Sequence, residues 1–135
     1  MFLLDTHVWL WSVDGDRRLG AGSTRLLERA ATHDRIRVSP VSFFEITALH
    51  ATGRLRVIRP LDQWLHEALA QVRVAELTSE AAMDAGHIPR TALADPMDRL
   101  LVATARQHDA TLVTADRAIL AYARGGHVRV HDASR

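Results

Sequence analysis

Short strand-like runs, Phe2-Leu3-Leu4, Ile36-Arg37-Val38 and Thr111-Leu112-Val113-Thr114, alternate along this chain with longer stretches whose apolar residues recur at helical spacing. That alternation leaves few architectures open. Neighbouring parallel strands need a crossover of a dozen or more residues, and a helix supplies it. A sheet built this way is covered on both faces, so its strands are nearly continuous in apolar character. The expectation is an α/β fold with a short parallel sheet flanked by helices.

The boundaries of the helices are punctuated. A first helix follows Asp5-Thr6 through Trp11. Gly20 to Gly22 break the chain before an amphipathic helix from Ser23 to Thr32, with Leu26, Leu27 and Ala30 at helical spacing. Ser39-Pro40 opens a helix through His50, and Gly53 stops it. Leu61 to Gln71 is predicted helical, with Trp64, Leu65, Ala68 and Leu69 inward. Val72 to Leu77 reads as a short strand, and Ser79 to His87 as a helix that Pro89 ends. Asp95-Pro96 opens a long helix to about His108. A short helix from Asp116 to Ala123 and a last strand, Val128-Arg129-Val130, complete the order. No repeat or linker interrupts it, so residues 1–135 are expected to form one domain.

With 135 residues, 47% of them hydrophobic and 24% charged, the chain can bury a real core. Cysteine is absent, which excludes a disulfide framework and a thiolate metal site. Asp5 interrupts the apolar start and no basic segment precedes it, against a secretory leader. No apolar run approaches the ~20 residues of a membrane span. A cytoplasmic protein without membrane association is the expectation. The net charge of +1 does not by itself announce nucleic acid. There is no lysine, so phosphate contacts would come from the planar fork of arginine. Arg54, Arg56 and Arg59 form the densest basic stretch and read first as solvated surface.

Four acids stand where an apolar segment meets a turn or opens a helix: Asp5, Glu45, Asp98 and Asp116. In a parallel α/β sheet, ligands bind in the crevice beyond the carboxyl ends of the strands. Asp5 and Asp116 each lie just past such an end. Carboxylates gathered in one place repel each other and pay for desolvation, unless a cation sits among them. A hard divalent ion with oxygen ligands is the simplest candidate. Each acid also has a plainer role open to it. Asp5 and Asp116 can cap helices. Ser42-Phe43-Phe44-Glu45 has the spacing of a capping box, although Phe43, Phe44 and Ile46 surround the carboxylate with apolar bulk. In Asp95-Pro96-Met97-Asp98-Arg99, Asp95 suits the cap position. Asp98 leads into Leu100-Leu101-Val102-Ala103, which places it over the core edge. Asp98 is therefore the preferred ligand of the two, with Asp95 a supporting group.

Other chemistries lack their residues. The eight histidines form no His-Glu-x-x-His helix, and there is no phosphate loop, dinucleotide fingerprint or Gly-x-Ser-x-Gly elbow. His7 either approaches a phosphate or packs as an ordinary residue. Trp9 and Trp11, two apart on a helix, face opposite ways. One then meets a partner surface, or both are covered within the monomer.

Phe2 to Trp11, Ser42 to Ile46, Asp95 to Ala105 and Leu112 to Asp116 together resemble, in order, the motifs of PIN-domain ribonucleases. More narrowly they are similar to VapC-type toxins of bacterial toxin–antitoxin pairs. The resemblance spans essentially the whole chain. It implies a PIN-like α/β/α domain whose acids, here Asp5, Glu45, Asp98 and Asp116, meet in one negative pocket. It further implies Mg²⁺ or Mn²⁺, an RNA substrate, a homodimer and a cognate VapB-type antitoxin. Asp5 and Asp98 are expected to ligate directly, with Glu45 and Asp116 completing the site or orienting water. Arg99 and Arg117 are candidates to offset the negative charge at the rim, with a structural ion pair the expected role for Arg99. Relatives often carry His-Arg before the Asp-Pro motif, where this chain has Leu93-Ala94, and Trp where it has Phe44. Two rivals are a catalytically silent PIN-like RNA- or protein-binding module and a metal-dependent phosphatase. Asp5-Thr6-His7 lacks the second Asp that the phosphatase would use.

Overall fold

The computed structural model describes residues 1–135. In chain order the elements are β1 (Phe2–Leu4), α1 (Thr6–Asp14), α2 (Ala21–Thr32), β2 (Ile36–Val38), α3 (Pro40–Ala51), α4 (Leu61–Ala68), β3 (Arg73–Val74), α5 (Ser79–His87), α6 (Pro96–Gln107), β4 (Thr111–Thr114), α7 (Arg117–Ala123) and β5 (Val130–Asp132). A 3₁₀ turn, Leu69–Gln71, ends the α4 segment. The five strands run parallel in the order β3-β2-β1-β4-β5.

That order fixes where a site can form. From β1 the chain builds outward through β2 and β3, then returns to the other side of β1 for β4 and β5. Connections leave β1 and β4 toward opposite halves of the sheet, so a crevice opens between their carboxyl ends. Asp5 and Asp116 stand on its two walls.

Side chains alternate across the sheet with period two. Leu4 and Val113 are register partners and pack on one side with Val8, Trp9, Ile36, Val38 and Trp64. Leu3 and Leu112, the next register pair, pack on the other with Leu101, Val102 and Ile119. Trp9 is fully buried, and its Nε1–H donates to the Ala68 carbonyl at 3.4 Å. Trp11 is half-buried, edge-on to His7 and beneath the Arg18 guanidinium at 5.0 Å. The two tryptophans do face different ways, and both find cover within the chain.

Several boundaries differ from the sequence expectations. Gly22 lies inside α2, because only Gly20 precedes the first helical turn. A Cβ on Gly20 would collide with the backbone carbonyl of Arg135, which runs across the start of α2. β3 shrinks to two exposed residues. β5 begins at Val130, two residues later than its apolar content suggested. No helix is long and apolar enough to cross a membrane.

Candidate active site

Four of the acids, Asp5, Asp95, Asp98 and Asp116, are positioned by the start of a helix. Asp5 follows β1, caps α1 through Thr6 N–H at 2.7 Å, and is buried. Its other oxygen accepts the Thr114 hydroxyl at 2.6 Å. Asp116 caps α7 through Ile119 N–H at 3.0 Å, while its own N–H donates to Thr114 Oγ1 at 3.0 Å. Asp95 caps α6 through Met97 N–H at 2.8 Å. Asp98 sits in the first turn of α6, half-buried, with no hydrogen bond from any side chain or backbone group. Capping and gathering are thus not rival roles for Asp5 and Asp116. Helices that start at the carboxyl edge of the sheet bring their caps to the same crevice.

Glu45 reaches this edge by a different route from the one its local sequence suggested. Ser39, not Ser42, caps α3, because Pro40 takes the first helical position. The capping box at Ser42–Glu45 does not form. Ser42 is instead buried inside the helix, and both residues turn toward α1. Thr6 Oγ1 donates to Glu45 Oε1 at 2.7 Å and lies 2.9 Å from Ser42 Oγ. Phe44 points outward, 63% exposed, so it contributes nothing to the burial of Glu45.

The acids act on one another. Burial pushes the Asp98 carboxyl up to about 7, and the charges of Asp116, Asp95, Asp5 and Glu45 add to that rise. Burial also raises Glu45, with Asp5 and Asp95 adding to it and the Thr6 hydrogen bond opposing it. Arginines hold many other carboxylates of this chain, among them Asp16, Asp34, Glu67, Asp84 and Asp109. None of the 17 basic residues pairs with Glu45, Asp95, Asp98 or Asp116, and Asp5 has only His7 Nδ1 at 3.6 Å.

The donor set is all oxygen and all hard, which suits Mg²⁺ or Mn²⁺ rather than zinc. No three acid or histidine side chains stand close enough to enclose an ion by themselves. Magnesium does not require that. It keeps several waters and binds through one or two carboxylates. The residues therefore fit such an ion with waters filling the gaps.

Two of the neighbouring cations, Arg99 and Arg59, differ from expectation. Arg99 forms no ion pair; its Nε is buried without a hydrogen-bond partner. Arg117 is exposed beside Asp116. Arg54 and Arg56 are solvated, as their sequence suggested, and Arg59 pairs with Glu67 at 2.8 Å. His7 packs rather than projects: its Nε2 accepts Ala115 N–H at 3.3 Å. Sequence reasoning missed the hydroxyls of Thr6, Ser42 and Thr114. Their signal was present, a Ser or Thr one to three residues from each of Asp5, Glu45 and Asp116.

Residues 2–125 match the PIN domain family. The chain is 35% identical over 115 residues to Ribonuclease VapC22 of Mycobacterium tuberculosis, a match that covers 85% of this chain and 86% of that protein. Among solved structures, VapBC2 from Rickettsia felis bound to a DNA fragment from their promoter aligns with a TM-score of 0.71 at 17% identity, over 96% of each chain. A toxin–antitoxin complex from Klebsiella pneumoniae aligns at 0.69 and 17% identity, over 98% of this chain and 97% of that one. FitAcB from Neisseria gonorrhoeae aligns at 0.63 and 21% identity, over 98% and 97%. At these identities the structural matches speak for a shared fold.

Proposed function

This chain belongs to the PIN domain family, and on that footing we propose that it is the endoribonuclease toxin of a VapBC-type toxin–antitoxin pair, a hydrolase that cuts RNA phosphodiester bonds with Mg²⁺ or Mn²⁺. The observation that carries the proposal is electrostatic. In a chain rich in arginine, the acids of the β1/β4 crevice are left unneutralised, and one of them is driven to about 7 by burial and by the others. A fold that keeps such a concentration of charge has a use for a cation there.

Asp5 and Asp98 are the proposed ligands, and Glu45 and Asp116 complete the site or orient water. When bound, the ion supplies an acidified water and neutralises charge growing on the phosphate. The chain's own residues do the rest. Asp5 is immobilised by two hydrogen bonds, from Thr6 N–H and Thr114 Oγ1, so its position is set before anything binds. Asp98 has no such tether and is free to turn toward an incoming cation. Asp116 presents one oxygen to Ile119 N–H and keeps the other available. Arg117, exposed at the start of α7, offers a guanidinium to the RNA backbone.

Family membership supports the remaining parts of the proposal. The whole chain, 1–135, acts as one nuclease domain in the cytoplasm, forms a homodimer and is restrained by a VapB-type antitoxin. Magnesium-dependent cleavage of RNA by Asp98→Asn tests the centre of the proposal. Cleavage is expected to vanish while the unfolding temperature stays the same or rises, since one of several repelling charges is gone. Full activity in that variant refutes the assignment. A parallel assay on a small phosphoester separates a nuclease from a phosphatase.

A further inference from the structure

Ser42 is fully buried in α3, one turn before Glu45, and makes its only side-chain hydrogen bond to Thr6 Oγ1 at 2.9 Å. Thr6 has a single hydroxyl hydrogen, and Glu45 Oε1 at 2.7 Å takes it. The direction of the other contact is then fixed: Ser42 donates and Thr6 accepts. We propose that Ser42 and Thr6 form a two-hydroxyl relay, Ser42 to Thr6 to Glu45, that fixes the rotamer of Glu45 and aims its second oxygen at the cation, which makes Ser42 a positioning residue for the site.

A glutamate on a helix surface has three side-chain torsions and samples many rotamers. Ordering it on binding would cost side-chain entropy. Here one oxygen is held by a hydroxyl whose own rotation is held by another, so the ordering is done before any ligand arrives. Both hydroxyls are buried, where a hydrogen bond to a charged oxygen is stronger than in water. Thr6 also gives its backbone N–H to Asp5 Oδ1 at 2.7 Å. One residue thereby sets the spacing between Asp5 and Glu45, which come from β1–α1 and from α3. The Ser-x-x-Glu spacing is thus used across the α1–α3 interface: residues three apart share a helix face and grip the same threonine.

The inference rests on the proposed metal-dependent site, and its test separates the two. Mg²⁺ binding is measured by calorimetry on the full chain, beside RNA cleavage as a function of Mg²⁺ and thermal unfolding without metal. The variants are Ser42→Ala, Thr6→Val and Thr6→Ser. Thr6→Val, which keeps shape but has no hydroxyl, is expected to weaken Mg²⁺ binding about 10-fold, as lost second-layer contacts do at metal sites. Ser42→Ala is expected to weaken it by a smaller factor. Cleavage by both should recover substantially at saturating Mg²⁺, and Thr6→Ser should bind nearly as the parent does. In an Glu45→Gln background, Thr6→Val should add nothing further to the loss of affinity. Lower unfolding temperatures with unchanged Mg²⁺ affinity would overturn the relay and leave the hydroxyls as glue between helices. A parent chain that neither binds Mg²⁺ nor cuts RNA would overturn the proposed function itself.

Discussion

Thr114 donates its hydroxyl hydrogen to Asp5 at 2.6 Å, joining residues 109 positions apart across the seam between β4 and β1. The same oxygen accepts Asp116 N–H at 3.0 Å. One buried hydroxyl therefore ties the carboxylate that follows the first strand to the backbone of Asp116. Thr114→Val keeps the shape and removes the bond, leaving a buried carboxylate oxygen without its donor. That is expected to cost about 1–3 kcal/mol, read as a lower urea midpoint. RNA cleavage should fall with it, and Thr114→Ser should restore both. An unchanged midpoint would show that the bond contributes nothing to the seam.

This seam also marks how far the sequence could be read. β1, β2 and β4 were legible because central strands are buried on both faces and carry runs such as Leu3-Leu4 and Leu112-Val113. Edge strands lack that signature. Arg73 and Val74 of β3 are both exposed, and β5 is half-exposed throughout. Its register, Val113 with His131 and Thr114 with Asp132, is set by pairing with β4 rather than by apolar content. At the candidate site, the acids stand out in the sequence because charge beside an apolar run is conspicuous. The hydroxyls that hold them were not, since Ser and Thr cap helices everywhere. Ser39 and Ser42 compete as caps on paper, and Pro40 decides between them.

Gly20 is required by close approach rather than by its backbone angles. A side chain there would strike the Arg135 carbonyl, while Gly20 N–H donates to Ala133 O at 2.8 Å and Ser23 Oγ donates to Arg135 O at 2.8 Å. Gly20→Ala is expected to push residues 133–135 off α2 and to cost about 1–3 kcal/mol. Amide hydrogen exchange should rise at Ser23, whose N–H is bonded to Arg135 O at 2.8 Å. Unchanged protection at Ser23 would mean that the tail yields without leaving.

The two tryptophans of α1 predict unequal losses. Trp9 is fully buried among Leu4, Phe43 and Trp64, so Trp9→Ala opens a large cavity and should cost about 3–5 kcal/mol. Trp11 is only half-buried beneath Arg18 and His7, and Trp11→Ala should cost about 1 kcal/mol. Urea unfolding of both variants checks the ratio. Equal losses would mean that the cover over Trp11 contributes as much as the core.

Asp98 gives the molecule a pH dependence whose sign is fixed by geometry. Its carboxyl titrates at about 7 in the fold against an ordinary 3.8, because burial and four nearby acids disfavour its charge. Below the ordinary value both folded and unfolded chains hold the proton, and the group makes no difference. Between 3.8 and about 7 the folded chain keeps a proton that the unfolded chain has released, so rising pH lowers stability. Above about 7 the slope ends and the full penalty remains. Glu45, raised by burial, adds to the fall. In chelator, the urea midpoint of the parent should therefore drop across this window relative to that of Asp98→Asn, and the two curves should meet near pH 4. Millimolar Mg²⁺ should lift the parent at pH 7.5, since a cation that binds only the folded chain stabilises it, and should lift Asp98→Asn far less. Parallel curves for parent and variant in chelator would mean that neither burial nor the other carboxylates raise Asp98, and the crevice would lose its claim to a cation.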